Sequence, residues 1–379
     1  MHRFIITALT LLLHTAGLAM PTAEALDREV QRLLAGSAVQ GLALAVVQGG
    51  QVHHVQAYGR RNAQGDPLLT DTVMYAASLT KAVFAYTVLQ LAQEGRIDLD
   101  ASIASMLAKP LPDHLADPRY GPWHDLKDEE RWRLLTPRIL LSHRGGFANF
   151  AFLEPDGKLR MHFTPGSRYA YSGEGYMLLQ FVLEQGLGMD VGAEMQGRVF
   201  KHFGMSRTAM VWRPDFEANQ ADGWTATGSS VPHGRRSRVR AAGSMDTTIA
   251  DFARFAAALA RGDGLSAAWR ADMTRPQGPI AGATQFPTLA APAAPSQRRA
   301  DLAAGLGVVL FEGPQGPGFF KGGHNDSTGN TWVCVEKRRS CVVLLANDVR
   351  AEALFPGLVH FILGTTGTPW DWEYGPTAR

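Results

Sequence analysis

Strand-like segments lie near both ends of this chain, and helical patterns fill the stretch between them. Residues 42–47 and 51–57 are rich in aliphatic side chains and are separated by Gly49 and Gly50, a pattern typical of a hairpin. The later strand-like runs lie near 305–311, 318–321, 330–336 and 341–346, followed by a helical pattern at about 352–363. We therefore expect an α+β fold with a mixed, mainly antiparallel sheet formed by both chain ends. Helices would flank this sheet, with a helical insertion at about residues 100–240.

The composition fits a chain that folds around a large core. Of its 379 residues, 45% are hydrophobic and 19% are charged, and a chain of this size buries roughly three-quarters of its unfolded surface. A disordered chain and a small disulfide-stapled domain are both excluded. Lys plus Arg is 37 and Asp plus Glu is 35, a net charge of +2, so the charge balance does not indicate a nucleic-acid partner.

The first 25 residues have the pattern of a secretory signal peptide. A cationic start precedes an apolar run over residues 4–18, and residues 23–25 read Ala-Glu-Ala, the small-x-small pattern of a cleavage site. The run is short for a membrane span, which favours removal over a retained anchor helix. We expect a periplasmic or secreted protein without a membrane span after processing. Residues 26–365 would form one domain, and residues 366–379 a C-terminal tail.

The two cysteines, Cys334 and Cys341, lie on either side of a short charged segment between two β-rich runs. A hairpin centred between Lys337 and Arg338 would place the two sulfurs opposite each other. Facing residues in an antiparallel pair are close enough for a disulfide, and an exported protein can keep one. The pattern favours a disulfide, with two buried free thiols as the alternative.

The strongest helix candidate begins at Ser78 and runs to Glu94. It is apolar on most sides, which is typical of a buried helix. Residues three apart share a helix face, so Lys81 can reach the Ser78 hydroxyl. Serine is a weak nucleophile that needs a base beside it. To act as that base near neutral pH, Lys81 must lose about three pKa units, which burial and a second cation can supply.

Tyr171 lies in a Tyr-Ser-Gly sequence that follows the turn-like segment 164–166. A phenol close to a lysine can relay protons between a nucleophile and a leaving group. A packing role for this tyrosine is the alternative.

Lys321, Gly322, Gly323 and His324 end a strand-like run. Paired glycines let a substrate approach the strand backbone closely. The backbone N–H groups of His324 and Ser78 could then form an oxyanion hole. Lys321 would hold a substrate carboxylate and lower the pKa of the lysine beside the nucleophile, although a glycine turn with a solvated lysine would give the same pattern.

In this order, the three groups resemble the motifs of the serine β-lactamase and penicillin-binding-protein-like superfamily. The most similar branch is the one that contains class C β-lactamases, esterases and D-aminopeptidases. The resemblance extends over about residues 26–365 and implies the β-lactamase/transpeptidase type of α+β fold. The segments that carry it are Met74–Lys81, Leu140–Gly146, Pro165–Tyr176, Phe203–Met205, Ala242–Met245 and Leu344–Asn347.

The resemblance implies an exported SxxK serine hydrolase that forms an acyl-enzyme on Ser78. Lys81 and Tyr171 would be the proton-transfer pair, and Lys321 would fill the Lys/His position of the third motif. The bond cleaved would be an ester or amide in a small ester, a D-amino-acid peptide or a β-lactam. No cofactor or metal is implied, and the expected partner is a small-molecule or peptide substrate.

Two departures from the family pattern bear on the substrate. Gly173 replaces a frequent Asn and Gly322 a frequent Thr, so we expect an esterase or D-peptidase rather than an efficient β-lactamase. The third motif can also be aligned on His324–Asp326, with the oxyanion N–H at Ser327; Lys321 is preferred because its alignment keeps a glycine at the third position. A catalytically silent peptidoglycan- or ligand-binding relative and an acyltransferase are the alternatives, and the oligomeric state is not predicted.

Two further features have a structural explanation as well as a functional one. Arg235, Arg236, Arg238 and Arg240 could attract an anionic substrate, although a solvated loop is the simpler interpretation. His143 follows an apolar helix end and is expected to pack or cap.

Overall fold

The computed structural model describes residues 20–375. The strands are β1 Gly41–Gln48, β2 Gln51–Gly59, β3 Met74–Tyr75, β4 Gly223–Trp224, β5 Ser230–Val231, β6 Asp246–Thr247, β7 Gly278–Pro279, β8 Leu302–Ala304, β9 Val309–Gly313, β10 Gly316–Asn325, β11 Thr328–Val335 and β12 Ser340–Ala346. The α-helices are α1 Ala23–Ala35, α2 Leu79–Gln93, α3 Pro137–Leu141, α4 Gly173–Phe181, α5 Val191–Met195, α6 Ile249–Arg261, α7 Ala267–Thr274, α8 Phe355–Leu363 and α9 Trp370–Tyr374. Short 3-10 and π-helical turns connect them.

Eight strands form one sheet in the order β2-β1-β12-β11-β10-β9-β8-β7. Strand β1 pairs with β12, so that Leu42 faces Ala346 and Val47 faces Cys341. The predicted fold class is confirmed, because both chain ends build the sheet and helices flank it. The pairings of this sheet are antiparallel throughout the described residues, which narrows the expected mixed sheet to an antiparallel one.

Both faces of the central strands are buried. Along β1, Ala43 and Ala45 join the core that contains α2 and α6, whereas Leu42 and Leu44 join the core that contains α1 and α8. Successive side chains of a strand point to opposite faces, and each face here has its own helical layer. The sequence of β1 is therefore a continuous aliphatic run rather than an alternation of apolar and polar residues.

Helix α2 is buried along almost its whole length. Every residue from Leu79 to Ala92 is buried, as the apolar pattern predicted. Since α2 is enclosed by protein on all sides, the residue at its start, Ser78, has a fixed position.

The cysteine prediction agrees with the structure. Cys334 on β11 faces Cys341 on β12, and a disulfide joins the two sulfurs. The bond lies at the hairpin end of these strands, away from the end that carries Gly329 and Asn330.

Short helical segments lie near both ends of the described residues. The apolar run over residues 4–18 lies outside the described residues, and the predicted cleavage site at Ala25 falls in the first turn of α1. At the other end, α9 lies within the stretch from residue 366 that was expected to be a tail, and its Trp372 and Glu373 are buried. Within residues 20–375, no helix combines the length and the apolar character that a membrane span requires.

Candidate active site

Ser78 stands at the start of α2 with its hydroxyl available for chemistry. It occupies the N-cap position, but its side chain makes no capping hydrogen bond. Its Oγ atom instead lies 2.9 Å from Lys81 Nζ and 2.8 Å from the Tyr171 hydroxyl. The preceding residue, Ala77, has a φ of 47°, a left-handed conformation that costs energy in a residue with a Cβ. Such local strain is often found at functional sites.

The Lys81 amine is held in a buried position. The residue is 1% exposed, and Nζ also contacts the Ala242 carbonyl oxygen at 2.5 Å. Burial, followed by the positive charges of Lys321 and Arg240, holds the pKa of Lys81 well below its usual value. The neutral amine that a general base requires is thereby favoured.

Tyr171 completes the contacts of the Ser78 hydroxyl. Its ring centroid lies 5.0 Å from Lys81 Nζ and 5.0 Å from Lys321 Nζ. Burial raises the pKa of Tyr171, although its hydrogen bond to Ser78 acts in the opposite direction. The phenol therefore keeps its proton and donates a hydrogen bond to the Ser78 oxygen.

His143 supports the tyrosine loop. Its ring lies 4.4 Å from the ring of Tyr171, centroid to centroid, and its Nδ1 accepts a hydrogen bond from the Ser172 N–H at 3.1 Å. Burial, together with the nearby lysine charges, lowers the pKa of His143 well below its usual value. His143 therefore packs against Tyr171, as one of the two roles expected from the sequence, and also accepts a hydrogen bond from the loop that follows this tyrosine.

Strand β10 places Lys321, Gly322 and Gly323 along the other side of Ser78. Lys321 is buried, and its Nζ donates to the Gly322 carbonyl at 2.6 Å. Burial lowers the pKa of Lys321 to about 8, although the charge of Glu373 acts in the opposite direction. A Cβ on Gly323 would lie 2.7 Å from the Ala76 carbonyl oxygen, so this close packing of strand on helix requires glycine.

His324 lies near the C-terminal end of the same strand. Its Nδ1 lies 3.0 Å from Glu352 Oε1. Burial alone would lower the pKa of His324, but the hydrogen bond and charge of Glu352 outweigh it and raise the pKa.

The sequence-predicted residues converge on one cleft of about 300 Å³. Ser78, Lys81, Tyr171, Lys321 and Gly322–His324 all line it. Five further lining residues belong to segments that carry the family resemblance or the alternative third motif: Tyr75, Ala77, Ala242, Gly243 and Asn325. The cleft also contains residues that the sequence analysis did not select: Asn149, Phe150, Gln285, Phe286 and Glu373.

Two of these additional residues lie beside Gly173. The N–H of Gly173 donates to Asn149 Oδ1 at 2.9 Å. A Cβ on Gly173 would lie 2.3 Å from Phe150 Cζ, so the phenylalanine ring fills the space that a larger residue would need. An amide is thus present in the cleft, but it comes from the preceding loop rather than from the tyrosine motif.

Glu373 fills the space beside Gly322, as Phe150 fills the space beside Gly173. Its Oε1 atom lies 2.1 Å from the position of a Cβ on Gly322. The only local signal for this residue is an acidic side chain within an aromatic Trp-Asp-Trp-Glu-Tyr segment, and nothing in that pattern connects it with β10.

The arginines at positions 235–240 have different environments: two of them form ion pairs with acidic side chains, and another lines the cleft. Arg236 Nη1 pairs with Asp246 Oδ1 at 2.8 Å, and Arg235 pairs with Glu217. Arg240 lines the cleft, and its guanidinium lies 6.0 Å from the Phe150 ring centroid. Among residues 20–375, no group of three or more His, Cys, Asp or Glu side chains could hold a metal ion.

Comparison with known proteins identifies the family of the chain. A family model described as Beta-lactamase matches residues 26–363. The chain belongs to the beta-lactamase family. This membership confirms the resemblance predicted from the motifs and places the chain among serine hydrolases of the β-lactamase and penicillin-binding-protein type.

Individual relatives of this beta-lactamase-family chain are distant. Penicillin-binding protein 4 of Amycolatopsis lactamdurans is 25% identical over 183 residues, which cover 45% of this chain and 44% of that protein. The matched segment therefore spans less than half of that relative.

Solved structures show the same fold over most of the chain. The D-alanine carboxypeptidase AmpC from Burkholderia cenocepacia has a TM-score of 0.69 at 19% identity and covers 89% of this chain and 97% of its own. A class C beta-lactamase has a TM-score of 0.70 at 16% identity, with 89% and 94% covered. At these sequence identities, the similarity shows a shared fold and does not by itself indicate a shared activity.

Proposed function

We propose that this member of the beta-lactamase family is an exported hydrolase that cleaves an ester or amide through an acyl-enzyme on Ser78. The observation that carries the proposal is the position of the Ser78 hydroxyl, 2.9 Å from a buried lysine amine and 2.8 Å from a buried phenol. A serine between a base and a proton donor is the arrangement that nucleophilic catalysis requires.

Lys81 and Tyr171 have different protonation states, so we assign them different steps of proton transfer. Lys81, with its lowered pKa, accepts the proton as Ser78 Oγ attacks the carbonyl carbon. Tyr171 keeps its proton and is placed to pass one to the leaving group while it recovers one from the lysine. The leaving alcohol or amine departs neutral, and the acyl group stays on Ser78.

Two backbone N–H groups are proposed to stabilise the tetrahedral intermediate. One belongs to Ser78 at the start of α2, where the helix dipole favours negative charge. The other belongs to His324, which follows directly after the glycine packed against Ser78. Donors preorganised for a developing oxyanion typically contribute about 10²–10³ in rate. This packing favours the alignment of the third motif on Lys321 over the alignment on His324.

Hydrolysis of the acyl-enzyme would use the same groups in reverse. Water loses a proton to Lys81 as it attacks the ester carbonyl, and Ser78 Oγ regains a proton as the carboxylic acid leaves. An acceptor alcohol or amine in place of water would make the reaction an acyl transfer.

Small esters and D-amino-acid peptides are the proposed substrate classes, ahead of β-lactams. The hydroxyl that could bind a β-lactam carboxylate is missing at Gly322, and the side-chain amide is missing at Gly173. Export is proposed from the pattern of residues 1–25.

A fluorophosphonate probe followed by intact-mass measurement tests the nucleophile. We expect a single adduct on the peptide that contains Ser78, no adduct in Ser78→Ala, and a normal adduct in the control Ser229→Ala, which alters an exposed serine. Folded parent protein that remains unlabelled would contradict the proposal.

A panel of p-nitrophenyl butyrate, a D-alanyl anilide and a chromogenic cephalosporin then ranks the substrates. We expect ester or D-peptide turnover to exceed cephalosporin turnover, and loss of all turnover in Ser78→Ala. Binding without turnover of any substrate would instead support a silent ligand-binding relative.

A further inference from the structure

The C-terminal helix α9 brings a carboxylate into the catalytic cleft. Glu373 lines the cleft together with Lys321 and Gly322, although it is only 5% exposed. Its Oε1 lies 2.1 Å from the position of a Cβ on Gly322. The carboxylate therefore occupies the space where a residue larger than glycine would present its side chain to a bound substrate.

This carboxylate is held in place by neighbouring groups. Its Oε2 accepts a hydrogen bond from Gln285 Nε2 at 2.5 Å, and Gln285 Oε1 accepts one from the Tyr169 hydroxyl at 2.8 Å. Trp372, which directly precedes Glu373, is buried and donates from Nε1 to the Gly282 carbonyl at 3.1 Å. A side chain anchored in this way cannot move aside without breaking the packing of α9.

The carboxylate also changes what Lys321 can offer to a ligand. Burial raises the pKa of Glu373, although the charge of Lys321 acts in the opposite direction and favours its ionised form. The charge of Glu373 in turn favours the protonated form of Lys321. Lys321 Nζ donates its hydrogen bond to the Gly322 carbonyl, and the charge of Glu373 acts on it electrostatically. A substrate carboxylate placed between Lys321 and Gly322 would meet the negative charge of Glu373 in a poorly solvated site, which is costly.

We propose that Glu373 sets the substrate class of this site by excluding a carboxylate from the part of the cleft beside Lys321. This part lies next to the ring of Tyr171, the proposed proton donor to the leaving group. The proposal rests on the proposed hydrolase function and deepens it: the preferred substrates are esters or amides whose leaving group carries no carboxylate. Specificity of this kind comes from a repulsive element rather than from an added attraction.

A matched pair of esters tests the exclusion. m-Carboxyphenyl phenylacetate and m-carbamoylphenyl phenylacetate share the acyl group and differ in the charge of the leaving phenol. Glu373→Gln removes the negative charge while its amide oxygen can still accept from Gln285. Asp371→Asn is the matched control, because Asp371 is on the same helix and exposed.

The readouts separate the two proposals. In the parent, kcat/KM for the carbamoyl ester tests the hydrolase function. In a Ser78→Ala background, where the esters are not cleaved, calorimetry gives the affinity ratio of the carboxy to the carbamoyl ester and tests Glu373 alone.

We expect Glu373→Gln to raise this affinity ratio by at least about tenfold, as like-charge contacts at an interface typically cost more than that, and Asp371→Asn to leave it within about twofold. An unchanged ratio in Glu373→Gln, including the absence of measurable binding of either ester, would overturn the role of Glu373. Failure of the parent to cleave either ester would overturn the hydrolase proposal, whatever the affinity ratio.

Discussion

The aromatic ring of Phe150 occupies the space beside Gly173, with Cζ 2.3 Å from the position that a Cβ there would take. The adjacent residue, Asn149, accepts a hydrogen bond from the Gly173 N–H and also lines the cleft. The loop before the tyrosine motif therefore supplies both the bulk and the amide that a side chain at position 173 would otherwise provide.

We predict that Asn149→Ala raises KM for ester substrates with a smaller effect on kcat, because the cleft loses an amide and the Gly173 N–H loses its acceptor. The unsatisfied N–H would lower the free energy of unfolding by about 1–3 kcal/mol. Asn149→Asp keeps an acceptor for Gly173 and should recover the stability but not the affinity. Steady-state kinetics and urea unfolding of both variants check this, and an unaltered KM in Asn149→Ala would rule out a role in substrate binding.

Removing one hydroxyl tests the proton donor. Tyr171→Phe retains the ring that lies 5.0 Å from both lysine amines but loses the hydrogen bond to Ser78. We expect kcat to fall by about 10²–10⁴, the usual contribution of a positioned acid or base. Tyr176→Phe is the control, since the Tyr176 hydroxyl is also buried but donates to the Leu141 carbonyl. Equal losses of kcat in both variants would point to packing rather than proton transfer.

The pH profile should report the lysine that acts as base. Activity rises with pH as Lys81 loses its proton, and the positive charge of Arg240 helps to keep the pKa of Lys81 low. Arg240→Gln removes that charge, so the pKa of Lys81 rises and the acid limb of kcat/KM moves to higher pH. Arg238→Gln alters a neighbouring arginine that does not act on Lys81 and should leave the limb in place. An acid limb that stays fixed in Arg240→Gln would argue against Lys81 as the titrating base.

A second transition is expected near the pKa of Lys321, about 8. Above this pH Lys321 becomes neutral, and a positive charge that depresses the pKa of Lys81 is lost. We expect the profile of Lys321→Gln to lack this transition and to begin its acid limb at higher pH than the parent. Measurement of kcat/KM between pH 5 and 10, within the range in which the fold is retained by circular dichroism, checks this; a parent profile without a transition near pH 8 would count against it.

Local patterns were sufficient to predict some parts of the molecule. The contact between Ser78 and Lys81 depends on helix geometry alone, and the pairing of Cys334 with Cys341 depends on a short hairpin. The roles of Tyr171 and Lys321 needed the family resemblance, since a tyrosine or a glycine-rich strand end has many structural uses. Strand order and register were not encoded in any single segment.

Other parts depend on contacts between distant segments. The sequence identified Gly173 and Gly322 as departures from the family pattern and interpreted both as missing groups. It gave no indication that Phe150 fills the space beside Gly173 and that Glu373 fills the space beside Gly322. These contacts depend on how the loop before the tyrosine motif and helix α9 pack against the cleft. A stretch expected to be a tail thus contributes a wall of the cleft.

The disulfide offers a test that does not depend on the reaction. In the chain-entropy treatment, closing the short loop between Cys334 and Cys341 contributes about 2–3 kcal/mol. The double variant Cys334→Ala, Cys341→Ala should lower the free energy of unfolding by up to this amount and leave kcat/KM unchanged, since the bond lies at the far end of the hairpin from Gly323. A titration of denatured, unreduced parent that finds two free thiols would contradict the bond.

The relationship between Gly322 and Glu373 predicts a strong coupling between substitutions at the two positions. Gly322→Thr alone places a Cβ within 2.1 Å of Glu373 Oε1, and such overpacking typically costs about 1–3 kcal/mol, so we expect a lower melting temperature. Glu373→Ala in the same chain removes the obstructing carboxylate and should restore most of the loss, which gives a coupling energy of at least about 1 kcal/mol. Gly357→Thr provides the control, because a Cβ there meets nothing within 4 Å and its effect should add independently to that of Glu373→Ala. Strictly additive melting shifts for Gly322→Thr and Glu373→Ala would mean that the carboxylate does not occupy this space in solution, since two groups that compete for one volume cannot be changed independently.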